Sequence, residues 1–180
     1  MDMRDLWVFG YGSLMWNPGF AHLERQVATL HGYRRSFCMR SVEHRGTPER
    51  PGLVLALEET GAAFCAGVAF RPDPATAEDT LAYLRARELV TDAYLERVCP
   101  VTLNDGRTVQ ALTYVMDLAH VQYARGLTLD EQAEIILHAS GGRGPNTEYL
   151  SATVAALHEQ GIADAELADL ERRVAALSRR

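Results

Sequence analysis

Glu88 is the residue of this sequence best placed to move protons. It closes an apolar stretch in which helical spacing sets it over Leu84 and Leu81, on the face expected to meet the core. A carboxylate on that face loses part of its hydration, and desolvation raises a carboxyl pKa towards the neutral range that a general acid and base needs. Arg85 or Arg87 could instead hold Glu88 in a structural ion pair. The residues alone favour this ion pair, because buried ionised groups are usually paired.

A glycine-rich segment follows the first apolar run. Residues 6–9 predict a buried strand that stops at residues 10–14, Gly-Tyr-Gly-Ser-Leu. A dinucleotide-binding turn would need glycine where the chain has Met15, and the P-loop pattern does not occur. Backbone N–H groups of residues 10–14 could converge on a carboxylate or a developing oxyanion. An ordinary tight turn is the alternative, and the glycines by themselves favour it.

The elements that must position these residues are strands in the first half of the chain and helices in the last third. We expect strand hairpins around residues 59–61 (Glu-Thr-Gly) and 104–106 (Asn-Asp-Gly). Together with the strand at residues 6–9, five or six strands could curl into a small barrel. Apolar runs between turn signals predict the other strands at residues 27–42, 53–57, 64–70, 98–103 and 109–115.

Helical spacing predicts the remaining elements. Thr128, with Glu131 three residues later, forms a capping-box pattern that starts one of these helices. No repeat, linker or low-complexity tract divides the chain, so residues 1–180 are predicted to form a single domain. The predicted helices cover residues 75–88, 128–139, 148–160 and 164–177.

The composition excludes several classes of protein. A chain of 180 residues with 47% hydrophobic content fits one compact core, since single cores stop growing near about 250 residues. The net charge of −6 argues against a nucleic-acid surface, which needs a basic excess. No apolar run approaches the roughly 18 residues of a membrane span, and Asp2 and Asp5 stand where a signal peptide would be positive. We therefore expect a cytoplasmic protein that does not bind membranes and acts on small molecules or proteins.

Neither a metal site nor a covalent nucleophile is indicated by the sequence. The histidines lack metal-ligand spacing, and no serine lies in a G-x-S-x-G elbow. Cys38, Cys65 and Cys99 are odd in number, widely spaced and each set in an apolar stretch. This distribution argues against disulfides and zinc ligation and favours free thiols within strands.

Motifs at five places, in order along the chain, resemble one known family. The first two are Trp-Val-Phe-Gly-Tyr-Gly-Ser-Leu at residues 7–14 and Trp-Asn-Pro-Gly-Phe at residues 16–20. The others are His-Arg-Gly-Thr-Pro-Glu at residues 44–49 with Pro51-Gly52, Tyr83-Leu84 with Arg87-Glu88, and Gly-Pro-Asn-Thr-Glu-Tyr-Leu at residues 144–150. In these motifs the chain is similar to the ChaC family of glutathione-specific γ-glutamylcyclotransferases. After Glu88 it departs from many relatives, because Leu-Val-Thr-Asp-Ala at residues 89–93 replaces lysine and glycines.

The resemblance implies an α+β protein with the γ-glutamylcyclotransferase-like fold, a small mixed β-barrel with flanking α-helices. It implies a lyase that degrades reduced glutathione by cyclising the γ-glutamyl group, which gives 5-oxoproline and Cys-Gly. A cyclotransferase for other γ-glutamyl amines and a non-catalytic regulator of cation transport are the alternatives. The implied reaction requires no metal and no organic cofactor, and we expect a monomer.

The resemblance also assigns roles to residues. Glu88 matches the family's catalytic glutamate. A loop whose main-chain groups hold the γ-glutamyl moiety matches Tyr11, Gly12, Ser13 and Leu14. Other recurrent motif positions are expected to line or support the substrate pocket, and these are Arg40, Ser41, Arg45, Asn146 and Tyr149.

Overall fold

A computed structural model describes residues 5–179 of the chain. The strands of its main sheet are β1 (Trp7–Gly10), β2 (His22–Ser41), β3 (Gly52–Pro72), β4 (Tyr94–Leu103) and β5 (Thr108–Met116). Within residues 5–179 these five strands form a closed barrel in the order β1-β3-β2-β4-β5. β1 pairs antiparallel with β3 and parallel with β5, so the barrel is mixed, as predicted.

Helices make up much of the remaining structure. The helices are α1 (Ala77–Glu88), α2 (Leu129–His138), α3 (Asn146–Glu159) and α4 (Ala165–Leu177). Short 3₁₀ turns form at Ser13–Met15 and Pro74–Thr76, and a small ribbon pairs β6 (Ser140–Gly141) with β7 (Gly144–Pro145). In the described part of the chain, no helix has the length and apolar content needed to cross a bilayer. The prediction of an α+β barrel fold is confirmed.

The tertiary contacts fall into two compact units. Among the described residues, the first unit comprises 5–35 and 57–120, and the second comprises 36–56 and 121–179. Two of the three boundaries lie inside barrel strands, because Arg35 and Ser36 are consecutive in β2 and Ala56 and Leu57 are consecutive in β3. The assignment of the chain to a single domain stays a prediction.

One side of α1 helps to build the core of the first unit. Leu84, which is fully buried, belongs to the same apolar cluster as Val8 of β1 and Leu112 of β5. Leu14, from the 3₁₀ turn after β1, is buried in this cluster as well. The residues that precede the end of α1 are therefore fixed against the barrel beside the glycine-rich segment.

The two predicted hairpins have different outcomes. The prediction for residues 104–106 is confirmed, because β4 and β5 pair around a turn in which Gly106 has a φ of +89° and donates its N–H to the Leu103 carbonyl at 2.9 Å. The prediction for residues 59–61 is wrong, because β3 runs without interruption through this segment. Residues 59–62 are exposed, so polar and small side chains interrupt the alternation there without a reversal of the chain.

The predicted helices are confirmed, with small shifts at their ends. The first begins with a 3₁₀ turn, in which the Asp73 carboxylate accepts a hydrogen bond from the Ala75 N–H at 2.9 Å. At α2 the capping box is present: the Thr128 hydroxyl accepts from the Glu131 N–H at 3.3 Å, and the Glu131 carboxylate accepts from the Thr128 N–H at 2.8 Å. The third helix starts at Asn146, two residues before its predicted start.

Replacement of Thr128 tests the contribution of this capping box. Thr128→Ala should lower the free energy of unfolding by about 1 kcal/mol, because an N–H group at the start of α2 loses its side-chain acceptor. Urea unfolding followed by circular dichroism measures the change. Ser151→Ala, at an exposed position inside α3, is the matched control and should stay within about 0.5 kcal/mol of the parent. Equal stability of Thr128→Ala and the parent would contradict the prediction.

Candidate active site

The loop that follows β1 folds back on itself at once. Gly10 permits this, because a Cβ atom there would lie only 2.9 Å from the Leu14 Cβ atom. The Met15 N–H donates to the Gly12 carbonyl at 2.8 Å and closes the 3₁₀ turn. No side chain caps the start of this turn, whose N-cap residue is Gly12. The first N–H groups of such a turn have no acceptor within the turn itself. They are therefore candidate donors to an oxyanion.

Arg35, a buried arginine, holds the loop after β1 through a hydrogen bond. The Arg35 side chain lies within the barrel region of β2, and the residue is only 6% exposed. Its Nη1 atom donates to the Tyr11 carbonyl at 3.0 Å and to the Ala66 carbonyl of β3 at 2.9 Å. Gly67 allows close packing at this point, because a Cβ atom there would overlap the Gly10 carbonyl. Arg35 is not among the site residues predicted from the sequence, although a charged residue directly before the buried residues 36–39 is a signal for such a role.

Glu88 is the last residue of α1, and its side chain is 18% exposed. This degree of burial agrees with the helical spacing that places it on the same face as Leu84. Its Oε1 atom lies 3.1 Å from Nε of Arg87. Partial burial and an ion pair, which the sequence left as alternatives, therefore occur together.

Arg87 also contacts the loop. Its Nη2 atom donates to the Ser13 hydroxyl at 2.9 Å, and its Nη1 atom donates to the Asn17 carbonyl at 2.6 Å and to the Tyr83 hydroxyl at 3.0 Å. One guanidinium group thus contacts both the Glu88 carboxylate and the glycine-rich loop. The structure brings Glu88 and Ser13, which are far apart in sequence, into one hydrogen-bonded group.

Arg85, the other arginine considered as a partner of Glu88, binds elsewhere. Its Nε and Nη2 atoms donate to the Glu96 carboxylate of β4 at 2.9 and 2.7 Å. The buried Tyr114 hydroxyl of β5 donates to the same carboxylate at 3.3 Å. Hydrogen bonds from Arg85 lower the pKa of Glu96, whereas burial and then the negative charges of Glu96 and Glu88 raise the pKa of Tyr114. Glu88 is therefore near enough to Tyr114 to act on its ionisation.

Asn146 lies in the second unit and makes a two-way hydrogen bond with a strand. It is fully buried, and its Oδ1 atom accepts from the Leu53 N–H at 2.7 Å while its Nδ2 atom donates to the Leu53 carbonyl at 2.7 Å. The side-chain amide thus pairs with β3 as a neighbouring strand would. This geometry supports the fold around Gly52 and Leu53 and leaves the amide occupied by backbone.

The other predicted residues of the second unit lie around Arg45. The Ser41 hydroxyl accepts from the Arg45 N–H at 3.0 Å, which holds the turn after β2. The Arg45 Nη1 atom donates to the Pro145 carbonyl at 3.0 Å, and its Cζ atom lies 5.6 Å from the centre of the Tyr149 ring. The backbone of Arg40 pairs with Gln122: the Arg40 N–H donates to the Gln122 carbonyl at 2.8 Å, and the Gln122 Nε2 atom donates to the Arg40 carbonyl at 2.9 Å.

The predicted site residues therefore divide by unit. The structure brings together Glu88 and the loop of Tyr11, Gly12, Ser13 and Leu14 in the first unit. Arg40, Ser41, Arg45, Asn146 and Tyr149 all belong to the second unit.

Metal and thiol chemistry gain no support from the described part of the chain. Among residues 5–179, no three His, Cys, Asp or Glu side chains are grouped so that they could hold a metal ion. Cys38, Cys65 and Cys99 are buried and form no disulfide with one another. The expectation that no cofactor is needed stays a prediction.

A protein-family comparison decides the relationship of this chain. The model of the family described as "ChaC-like protein" matches residues 6–177. The chain belongs to the ChaC-like family.

Relatives within the family extend over most of the chain. A glutathione-specific gamma-glutamylcyclotransferase of Escherichia coli K12 is 41% identical over 169 residues, which cover 94% of this chain and 72% of the relative. Gamma-glutamylcyclotransferase 2-3 of Arabidopsis thaliana is 33% identical over 175 residues. The matched residues cover 94% of this chain and 88% of the Arabidopsis protein. A crystal structure of a yeast γ-glutamyl cyclotransferase specific to glutathione matches with a TM-score of 0.85 at 25% identity, and covers 95% of this chain and 96% of the yeast chain. The predicted family and its barrel fold are thus confirmed.

Asn146 of this ChaC-like chain offers a test of its structural role. Asn146→Ala should lower the free energy of unfolding by about 2–4 kcal/mol, because both backbone groups of Leu53 lose a buried partner. Urea unfolding measures the change. Asn104→Ala, in an exposed turn, is the matched control with an expected change of about 0.5 kcal/mol or less. Similar losses in the two variants would contradict the assignment.

The pair of Arg85 and Glu96 should make stability depend on pH. Because the pair lowers the pKa of Glu96 below its ordinary value of 4.5, its contribution is complete above that value and is lost as the pH falls through the lowered pKa. The parent should be more stable than Glu96→Gln by about 1 kcal/mol at about pH 7, with the difference shrinking below about pH 4. Urea unfolding at several pH values measures it. A difference that grows at low pH would contradict this reasoning.

Proposed function

We propose that this chain degrades glutathione by cyclising its γ-glutamyl group, which gives 5-oxoproline and Cys-Gly. The observation that carries the proposal is the mostly buried Glu88 carboxylate, joined through Arg87 to Ser13 of the uncapped loop after β1. Membership of the ChaC-like family supports the reaction type. The Escherichia coli and yeast relatives, both named for glutathione, support this substrate.

The substrate supplies its own nucleophile in this reaction. The α-amine of the glutamyl group can reach the γ-carbonyl carbon of the same residue and close a five-membered ring. The enzyme therefore needs to hold the ring-forming conformer and to move protons. Effective molarities of well-oriented groups reach about 10⁵ M or more, so positioning alone can account for several orders of magnitude in rate.

Glu88 is proposed to carry the protons. As a carboxylate, which the neighbouring Arg87 guanidinium stabilises, it accepts a proton from the α-ammonium group. The amine then attacks the γ-carbonyl carbon, and Glu88 donates a proton to the cysteinyl nitrogen as the C–N bond breaks. The ring nitrogen then loses its second proton, which Glu88 passes to the new amino group of Cys-Gly. Two protons thus move from the attacking nitrogen to the leaving nitrogen, and Glu88 ends in its starting state. General acid–base catalysis of this kind contributes about 10²–10⁴-fold.

The loop is proposed to bind the reacting group. Main-chain groups of Tyr11, Gly12, Ser13 and Leu14 hold the γ-glutamyl moiety, and N–H groups at the start of the 3₁₀ turn stabilise the oxyanion that develops on the γ-carbonyl oxygen. The absence of a side-chain cap at Gly12 supports this role, because a cap would occupy one of these donors.

The residues of the second unit are proposed to have supporting roles. Arg45 and Tyr149, which are partly exposed, are proposed to line the substrate pocket, as is Arg40. Ser41 and Asn146 are proposed to support it, since both side chains are buried and hydrogen-bonded to backbone. We propose in addition a monomeric, cytoplasmic enzyme that works without a metal or organic cofactor.

Replacement of Glu88 tests the proposed function. Glu88→Gln should keep the melting temperature and lose nearly all 5-oxoproline formation, because an amide cannot carry the proton. Chromatographic detection of 5-oxoproline and Cys-Gly from reduced glutathione measures turnover, and γ-glutamylalanine in parallel reveals a broader substrate range. Glu78→Gln, exposed at the start of α1, is the control and should keep parental activity. Cys-Gly release by Glu88→Gln at the parental rate would overturn the role of Glu88.

A further inference from the structure

Arg87 contacts both the Glu88 carboxylate and the loop that contains Ser13, and the proposed reaction needs these two in a fixed relative position. Its Nε atom lies 3.1 Å from the Glu88 carboxylate, and its Nη2 atom lies 2.9 Å from the Ser13 hydroxyl. Its side chain is 16% exposed, so these contacts are made largely out of solvent. They link the end of α1 directly to the loop after β1.

The guanidinium group is suited to this link because it is planar and presents several donors in a rigid fork. Its third nitrogen, Nη1, donates to the Asn17 carbonyl at 2.6 Å and to the Tyr83 hydroxyl at 3.0 Å. All three nitrogen atoms are therefore used, each in a different direction. A lysine would place its charge in the same region, but its single nitrogen could not reach Glu88, Ser13 and Asn17 together.

Tyr83 strengthens the link one helical turn before Arg87. Gly19 has a φ of +76°, and a Cβ atom on it would overlap the Tyr83 hydroxyl. The tyrosine thus lies directly against the end of the loop, and its hydroxyl accepts from Arg87. Tyr83 and Arg87 together hold the loop from Ser13 to Gly19 against α1.

Arg85 provides a natural comparison on the same helix. Its guanidinium makes an equally complete pair with Glu96, but that side chain is 52% exposed and the pair joins α1 to β4. Within residues 5–179, the hydrogen bonds and the ion pair of the Arg85 side chain go to Glu96 and not to the loop or Glu88. If any arginine near the end of α1 were required for stability alone, Arg85 and Arg87 would be equally important. If the contact with the loop is what matters, only Arg87 is important for activity.

We propose that Arg87 is a positioning residue, which sets the Glu88 carboxylate relative to the loop that binds the γ-glutamyl group. This inference rests on the proposed function. The bonds of Arg87 to Ser13 and Asn17 use nitrogen atoms other than the one that faces Glu88, so they persist while Glu88 gains and loses a proton. The loop after β1 and the end of α1 therefore keep the same relative position during both proton transfers.

Arg87→Lys tests this role, with Arg85→Lys as the matched control. In Arg87→Lys, kcat for 5-oxoproline formation should fall about 100-fold, because a displacement of about 1 Å costs that much, while KM rises less than about threefold. The KM stays near the parental value because Arg35 and the buried Leu14 still hold the loop. Arg85→Lys should keep kcat within about twofold of the parent, even if its melting temperature falls as much as that of Arg87→Lys.

Hydrogen–deuterium exchange of the ligand-free proteins gives a readout that does not depend on activity. The amides of Trp16, Asn17, Gly19 and Phe20 should exchange faster in Arg87→Lys than in the parent, and Arg85→Lys should leave them unchanged. Ser13→Ala removes one bond of the fork without altering the arginine, and it should lower kcat about tenfold with little change in KM. If Arg87→Lys does not fold, Ser13→Ala still tests whether the contact between Arg87 and the loop is required for activity.

The outcomes separate this inference from the proposed function. If the parent released no 5-oxoproline, the proposed function would fail, and exchange at residues 16–20 would still decide whether Arg87 tethers the loop. Parental kcat and parental exchange in Arg87→Lys would overturn the positioning role. So would equal losses of kcat in Arg87→Lys and Arg85→Lys, because they would indicate general weakening of α1.

Discussion

The burial of Leu84 against the barrel is the constraint on which the candidate site depends. Helical geometry places Glu88 one turn later on the same face, so packing of Leu84 with Val8 and Leu112 carries the carboxylate to the barrel surface. Leu14 enters the same apolar cluster from the loop after β1. A single hydrophobic contact region thus fixes both the helix and the loop, and polar groups then set the finer geometry.

Buried polar side chains do this finer work in each unit by binding backbone. Arg35 donates to the carbonyls of Tyr11 and Ala66, and Asn146 both donates to and accepts from Leu53. Removal of such groups from water is costly unless each finds a hydrogen-bond partner, and here the partners are main-chain atoms. These side chains therefore define where irregular segments lie, which apolar packing alone does not specify.

The sequence predicts the elements whose signals are local. Helical spacing, the capping box at Thr128 and the turn at residues 104–106 each depend on neighbours within a few positions, and the structure contains all three. The false hairpin at residues 59–61 has a local signal too, but exposure of β3 on both faces produces the same polar interruption as a turn.

The arrangement of the candidate site depends on distant pairs, and these could not be read from spacing. Arg87 and Ser13 are 74 positions apart, and Asn146 and Leu53 are 93 apart. The family motifs include Arg87, Glu88 and Ser13, yet they do not reveal that Arg87 joins the other two. They also leave out Arg35, which donates to the Tyr11 carbonyl. Such contacts arise only once the barrel has placed its strands.

The pairing of β1 has a consequence for biosynthesis. Val8 pairs with Phe70 on one side and with Leu112 on the other, so the first strand leaves the ribosome long before its second neighbour exists. At translation rates of about 5–20 residues per second, the roughly 100 intervening residues take about 5–20 s to appear. During that interval Trp7, Val8 and Phe9, all buried in the finished barrel, stay without one of their neighbours. The nascent chain must therefore carry this apolar strand through several seconds of synthesis, a period in which chaperones can bind it.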